Sequence, residues 1–230
     1  MENMFTENMK MAELIFANPK LLLVFSHFNM GLGFGERSVG EVCRQNGIAP
    51  LFFLLICKIY ADNEYVPSKD DMKSVNINDL FSYLKKSHLY YIEEKIPHIE
   101  RHLDIIIKSC DKKYGDLIGR FFGEYKVEML KHFDYEEETV FPYIKSLCEK
   151  RKAGGYSIAD FKRKHNNIEE KLGDLMNILV KYLPSGGFEM ERIEISFDII
   201  QLSQDLSSHS LVEDRLLIPF VELMEGGSIN

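Results

Sequence analysis

Along the C-terminal half of the chain, apolar residues recur at alternating intervals of three and four. One series runs Ile158, Phe161, Ile168, Leu172, Leu175 and Leu179, with His165 on the step between Phe161 and Ile168; another runs Ile195, Ile199, Leu202, Leu206, Leu216 and Phe220, with His209 and Glu213 on the steps between Leu206 and Leu216. Such spacing puts each series on one stripe of an α-helix. Chain breakers divide the sequence after residue 75 into four long helical stretches, at about 76–109, 114–150, 158–182 and 189–225. Asn76 is a suitable N-cap for the first, and Ala153-Gly-Gly155 and Pro184-Ser-Gly-Gly187 separate the last three. Pro97 should kink the first stretch or start a new segment, and Pro142 lies near the last turns of the second. Short connections make consecutive helices antiparallel neighbours, so the expected fold class is all-α, an up-down four-helix bundle.

The residues before this pattern predict a small helical domain, residues 1–66, ahead of a bundle domain at 67–230. An amphipathic stretch from Met11 to Ala17 stops before Pro19, and a second, Lys20 to Phe28, ends at the loop Asn29-Met-Gly-Leu-Gly-Phe-Gly35. No strand precedes that loop and no Gly-Lys-Ser/Thr follows it, so it predicts a tight turn rather than a phosphate cradle. Ser38-x-x-Glu41 forms a capping box for a short helix. Leu51 to Tyr60 is apolar on all sides and should be buried, against the bundle or a second subunit, which points to a homodimer through this domain. Residues 63–75 are polar, carry a Pro and predict a linker.

Polar residues interrupt the bundle's apolar stripes in a doubled arrangement. His132/Glu136/Pro142 and His209/Glu213/Pro219 repeat with an offset of 77 residues, and the same offset pairs His88 with His165. His165, His209 and Glu213 fall on seam positions otherwise held by Leu, Ile and Phe. Residues four apart share a helix face, so each His-x-x-x-Glu presents an imidazole and a carboxylate to one point. A buried carboxylate costs several kcal/mol without a partner, and a metal is the simplest partner for two of them. The candidate ligands of a dinuclear site are therefore His88, His132, Glu136, His165, His209 and Glu213. If both Glu bridge, each ion receives two nitrogens and two oxygens; an oxo or hydroxo bridge then leaves one octahedral position open for a small ligand. Two iron ions are the expected cofactor, and manganese or a mixed pair suits the same ligands.

Two acids also repeat at that offset. Glu128 and Asp205 each lie four residues before a site His and could accept a hydrogen bond from its free ring nitrogen, with a solvated face as the alternative. His102 shares a face with His88 but lies 14 residues away, about 21 Å along a helix; it and His98 read as surface residues. His27 reads as a core-edge residue, and Tyr91 and Tyr135 as core.

Composition narrows the function. The 230 residues are 45% hydrophobic and 28% charged, as in globular proteins, and the net charge of −8 argues against nucleic acid or an anionic membrane as partner. The longest apolar run, Leu51 to Cys57, is too short to span a bilayer, and the first ten residues lack the basic-then-apolar pattern of a signal peptide. The cytoplasm is the expected location. Cys43, Cys57, Cys110 and Cys148 are widely spaced, as reduced, packed thiols would be.

Ferritin-like di-iron proteins use Glu-x-x-His, a motif absent from this sequence. Four His with two Glu resemble haemerythrin instead. The chain resembles the haemerythrin-like di-iron proteins of the repair-of-iron-centres (RIC) family, over nearly its whole length. The resemblance implies an HHE cation-binding bundle from about residue 76, with Glu136 and Glu213 as bridging carboxylates and His88, His132, His165 and His209 as the other ligands. It further implies restoration of iron–sulphur clusters after oxidative or nitrosative stress, with iron–sulphur proteins as clients and oxygen or nitric oxide as small ligands. Haemerythrin-like carriage or sensing of those gases is the alternative. The N-terminal segment through Gly35-Glu-Arg-Ser-Val-Gly-Glu-Val-Cys43 resembles the family's leading domain but departs from it at one point. Where the family commonly has vicinal Cys-Cys-Gly-Gly, this chain has Met30-Gly-Leu-Gly-Phe-Gly35, and a thiol step assigned to that pair cannot occur here in the same form.

Overall fold

The computed structural model describes residues 5–151, 155–164, 168–186 and 188–227. Among them there is no β-strand, only an isolated bridge between Lys10 and Ser38. In chain order the helices are α1 (Met11–Ala17), α2 (Leu22–His27), α3 (Val39–Gln45), α4 (Pro50–Ala61), α5 (Lys69–Ser74), α6 (Ile77–Leu89) and α7 (Ile96–Ser109). They continue with α8 (Lys112–Tyr135), α9 (Phe141–Cys148), α10 (Ile158–Lys164), α11 (Glu170–Asn177), α12 (Glu189–Val212) and α13 (Ile218–Glu225). The chain falls into two compact units: Met1–Ser87 with Tyr143–Lys162 and Ser208–Asn230, and His88–Pro142 with Arg163–Ser207.

The second unit is built on a core fed by four helical segments. Ile96, Ile99, Leu103 and Ile106 come from α7, and Ile118, Phe122, Met129 and Phe133 from α8. Leu172 and Leu175 come from α11, and Ile195, Ile199, Leu202 and Leu206 from α12. Each such side chain contributes about 1.5–3 kcal/mol when fully buried. Gly115 lets α8 lie close against α7, since a Cβ there would sit 2.9 Å from the carbonyl oxygen of Ile107.

In the first unit, α3 opens with the expected capping box: Glu41 N–H donates to Ser38 Oγ (3.3 Å), and Ser38 N–H to Glu41 Oε2 (2.7 Å). The segment α4 buries Phe52 through Cys57 together with Ile59 and Tyr60 within the chain. The loop from Asn29 to Gly35 is a turn, with Gly33 and Gly35 at φ of +92° and +58°, conformations that favour glycine. Arg37 ties it down, donating from Nε to Phe34 O and from Nη2 to Gly33 O. The residues expected as a linker contain α5, opened by a second capping box in which Asp71 N–H donates to Ser68 Oγ (3.1 Å) and Ser68 N–H to Asp71 Oδ2 (2.8 Å).

The long stretches are not uniform α-helix. Wider π-helical turns occupy Tyr90–Lys95, Glu136–Val140, Ile178–Tyr182 and Glu213–Leu217. In each, the next residue donates its N–H five residues back: Ile96 to Tyr91, Phe141 to Glu136, Leu183 to Ile178 and Ile218 to Glu213. A proline follows every one of these donors, at Pro97, Pro142, Pro184 and Pro219. Proline has no N–H, and its ring crowds the carbonyl four residues back, so a locally widened turn relieves the clash. The expected disturbance at Pro97 is thus a π-turn with the helix resuming beyond it. The third stretch is interrupted, with Ile168 and Glu169 in a turn before α11.

Candidate metal centre

Both predicted carboxylates open a π-turn. Glu136 ends the run of α8, Glu213 that of α12, and both are fully buried. His88 on α6 and His209 on α12 are buried as well. His88, Glu136, His209 and Glu213 each offer one ligand atom, and these atoms all lie within 4.8 Å of one another. Nitrogen or oxygen ligands about 2.1 Å from a shared ion stand at most about 4.2 Å apart, so a small contraction closes this group on a cation.

The oxygens of Glu136 face different imidazoles. Oε2 lies 3.1 Å from His88 Nε2, and Oε1 lies 2.8 Å from Nε2 of His132, one turn earlier on α8. Glu213 Oε1 lies 3.5 Å from His209 Nε2. Of the six predicted ligands, four form this group and His132 lies against Glu136; His165 lies outside the described residues. An ionised carboxylate in such a core costs several kcal/mol even after relaxation, and two doubly so, unless cationic charge offsets them. Two imidazoles and two carboxylates fit a divalent or trivalent first-row metal.

One participant is not evident from the sequence. Glu137 Oε1 lies 2.9 Å from His88 Nδ1. A carboxylate there holds the proton on Nδ1 and leaves Nε2 to face the site. Glu137 is one of three consecutive Glu, and its partner sits on another helix, so only the 77-residue offset hints at it: that offset pairs Glu137 with Asp214, another acid following a site Glu. The His88 ring also stacks on Phe133, with centroids 4.1 Å apart.

The two outer acids separate. Asp205 is fully buried on α12, one turn before His209. Glu128 is exposed and pairs with Lys171, so its carboxylate faces solvent rather than a ligand. His27 is buried among the rings of Tyr60 and Tyr83, as a core residue.

Helices that converge on a buried set of imidazoles and carboxylates define a helical-bundle metal-binding protein. The particular family follows from sequence comparison: the model of the hemerythrin HHE cation-binding domain matches residues 79–221, and the chain belongs to that family. No curated protein matches the chain. Among the described residues, no single helix is long and apolar enough to cross a membrane.

Proposed function

We infer that the chain is a di-iron protein that helps restore iron–sulphur clusters damaged by oxidative or nitrosative stress. The observation that carries the dinuclear reading is Glu136, whose two oxygens each face a separate imidazole, the disposition of a bridging carboxylate. His88, Glu136, His209 and Glu213 would hold one ion, and His132 with the other oxygen of Glu136 would serve the second. His165 completes the two-fold scheme of the sequence. When bound, an iron pair supplies one-electron redox chemistry and an exchangeable position for a small ligand.

The chain's own residues set the terms of that chemistry. Glu137 fixes the His88 ring, and near-complete burial of the four clustered residues keeps bulky molecules away from them. The two buried thiols are poorly suited to take part. Burial pushes Cys43 up to about 12 and Cys57 well above its ordinary value, so neither is a thiolate near neutral pH. Repair would therefore rest on the metal site, by donation of labile iron or by reaction with nitric oxide. The resemblance to the repair-of-iron-centres family, with iron–sulphur proteins of the cytoplasm as clients, supports this reading.

Elemental analysis tests the site: about two irons per chain are expected, with loss of both in Glu136→Ala/Glu213→Ala. Incubating the reduced, loaded protein with an apo iron–sulphur protein tests the role. Iron transfer, or turnover of nitric oxide with a reductant, supports repair; neither activity would remove it. The enclosed site equally suits reversible gas carriage, and slow autoxidation of an oxygen-bound form would favour that reading.

A further inference from the structure

A second group of metal-ligating side chains lies away from the HHE site. His98 and His102 are one turn apart on α7, their ring centroids separated by 4.5 Å. On α12, Asp198 meets them, its Oδ2 3.1 Å from His98 Nε2. His98, His102 and Asp198 each offer a ligand atom, and these atoms all lie within 4.8 Å of one another. His98 is ten residues beyond His88, about 15 Å along the helical run at 1.5 Å per residue, too far to share an ion with it.

A plain His–Asp pair clasping two helices would explain His98 and Asp198 but not His102. The Nδ1 of His102 is buried and has no hydrogen-bond partner among the described residues. A ring nitrogen removed from water needs a proton acceptor, a donor or a metal. A cation between the three groups would take one nitrogen from each imidazole and the charge of Asp198 together. All three residues are half-buried, within reach of solvent, and sit on well-packed helices.

We propose that His98, His102 and Asp198 form a second metal site that takes one divalent first-row transition-metal ion. Two imidazoles and a carboxylate select Zn²⁺, Co²⁺ or Fe²⁺ over Mg²⁺ or Ca²⁺, which favour all-oxygen ligands. Three protein ligands leave at least one position to water, so the ion exchanges readily with solution. This is a docking point for a mobile ion rather than a structural closure. It does not rest on the function inferred above, since none of its ligands belongs to that site.

Co²⁺ titration of the iron-loaded protein, read by visible d–d absorption and by bound metal after gel filtration, tests the proposal. Wild type should take up one cobalt ion more per chain than His98→Ala/His102→Ala. Asp198→Asn, which can still hydrogen-bond His98, should bind that ion roughly tenfold more weakly or worse. Iron content and the circular-dichroism spectrum should agree across the three proteins, showing that the fold and the HHE site are intact. Equal cobalt uptake with an unchanged absorption spectrum in all three would overturn the site and leave His98 and Asp198 as an ion pair only.

Discussion

The backbone carbonyl of Glu213 accepts a hydrogen bond from the N–H of Ile218, five residues on, and Pro219 comes directly after. Glu136, Phe141 and Pro142 repeat the relationship. The proline in the doubled sequence pattern therefore has a structural role: it forces the π-turn that begins at each site carboxylate. A wider turn changes the angle at which the Glu leaves the helix relative to the residues C-terminal to it.

Replacing Pro219 with Ala restores a donor N–H and allows this turn to tighten to an α-helix. Metal affinity should then fall by roughly tenfold, about 1.4 kcal/mol. A chelator competition on Pro219→Ala measures it; unchanged affinity would mean that side-chain packing, not the proline, holds the turn open.

Loss of the outer carboxylate at His88 should also weaken the site. Removing such partners costs about 10–100-fold in metal affinity. Glu137→Ala is expected in that range, and Asp214→Ala, 77 residues on, should behave alike. Glu128→Gln is the control: its exposed carboxylate pairs with Lys171, so its effect should stay within about 0.5 kcal/mol. A larger effect at Glu128 than at Glu137 would reverse the assignment.

Metal should be a stabilising ligand of the fold. At a free concentration near 1,000 times Kd, linkage adds about 4 kcal/mol. In Glu136→Gln this increment should vanish while the metal-free protein unfolds at a similar temperature, since the variant removes a buried charge rather than packing volume. Calorimetric scans with and without chelator separate these effects. A Tm that rises with metal equally in both proteins would place the ion elsewhere.

Thiol reactivity should follow burial. At pH 7–8 an alkylating reagent should reach exposed Cys148 first and leave Cys43 and Cys57 untouched until the chain unfolds. The Cys43 thiol rises from 9.0 to about 12, chiefly through burial and further through Glu7. Its stabilising contribution is therefore complete below pH 9 and declines as pH climbs from there toward 12. Urea midpoints should fall across that alkaline range, and less steeply in Cys43→Ala.

Much of the fold and site is legible in the sequence because it is periodic. The apolar stripes mark the helices, and the offset between His132/Glu136 and His209/Glu213 singles out the polar residues placed among them. The features that escape depend on contacts between distant segments or on a change of helical pitch. Nothing in a run of three Glu tells which one meets His88. Asp198 joins His98 and His102 only through the packing of α7 on α12. The helix α5 lies where a linker is expected because its six residues carry one apolar side chain, Met72, too few to show a stripe, although Ser68-x-x-Asp71 is the capping signal that marks it. The π-turns conceal themselves for a related reason: a single residue of extra winding hardly disturbs a pattern of threes and fours.

The stacking of His88 on Phe133 also gives the protein an internal spectroscopic label. Electrons circulating in an aromatic ring oppose an applied magnetic field above and below its plane. With the rings 4.1 Å apart and inclined by only 13°, the carbon-bound protons of His88 lie in that shielded zone. In a diamagnetic sample they should resonate upfield of those of an exposed histidine such as one in the unfolded chain.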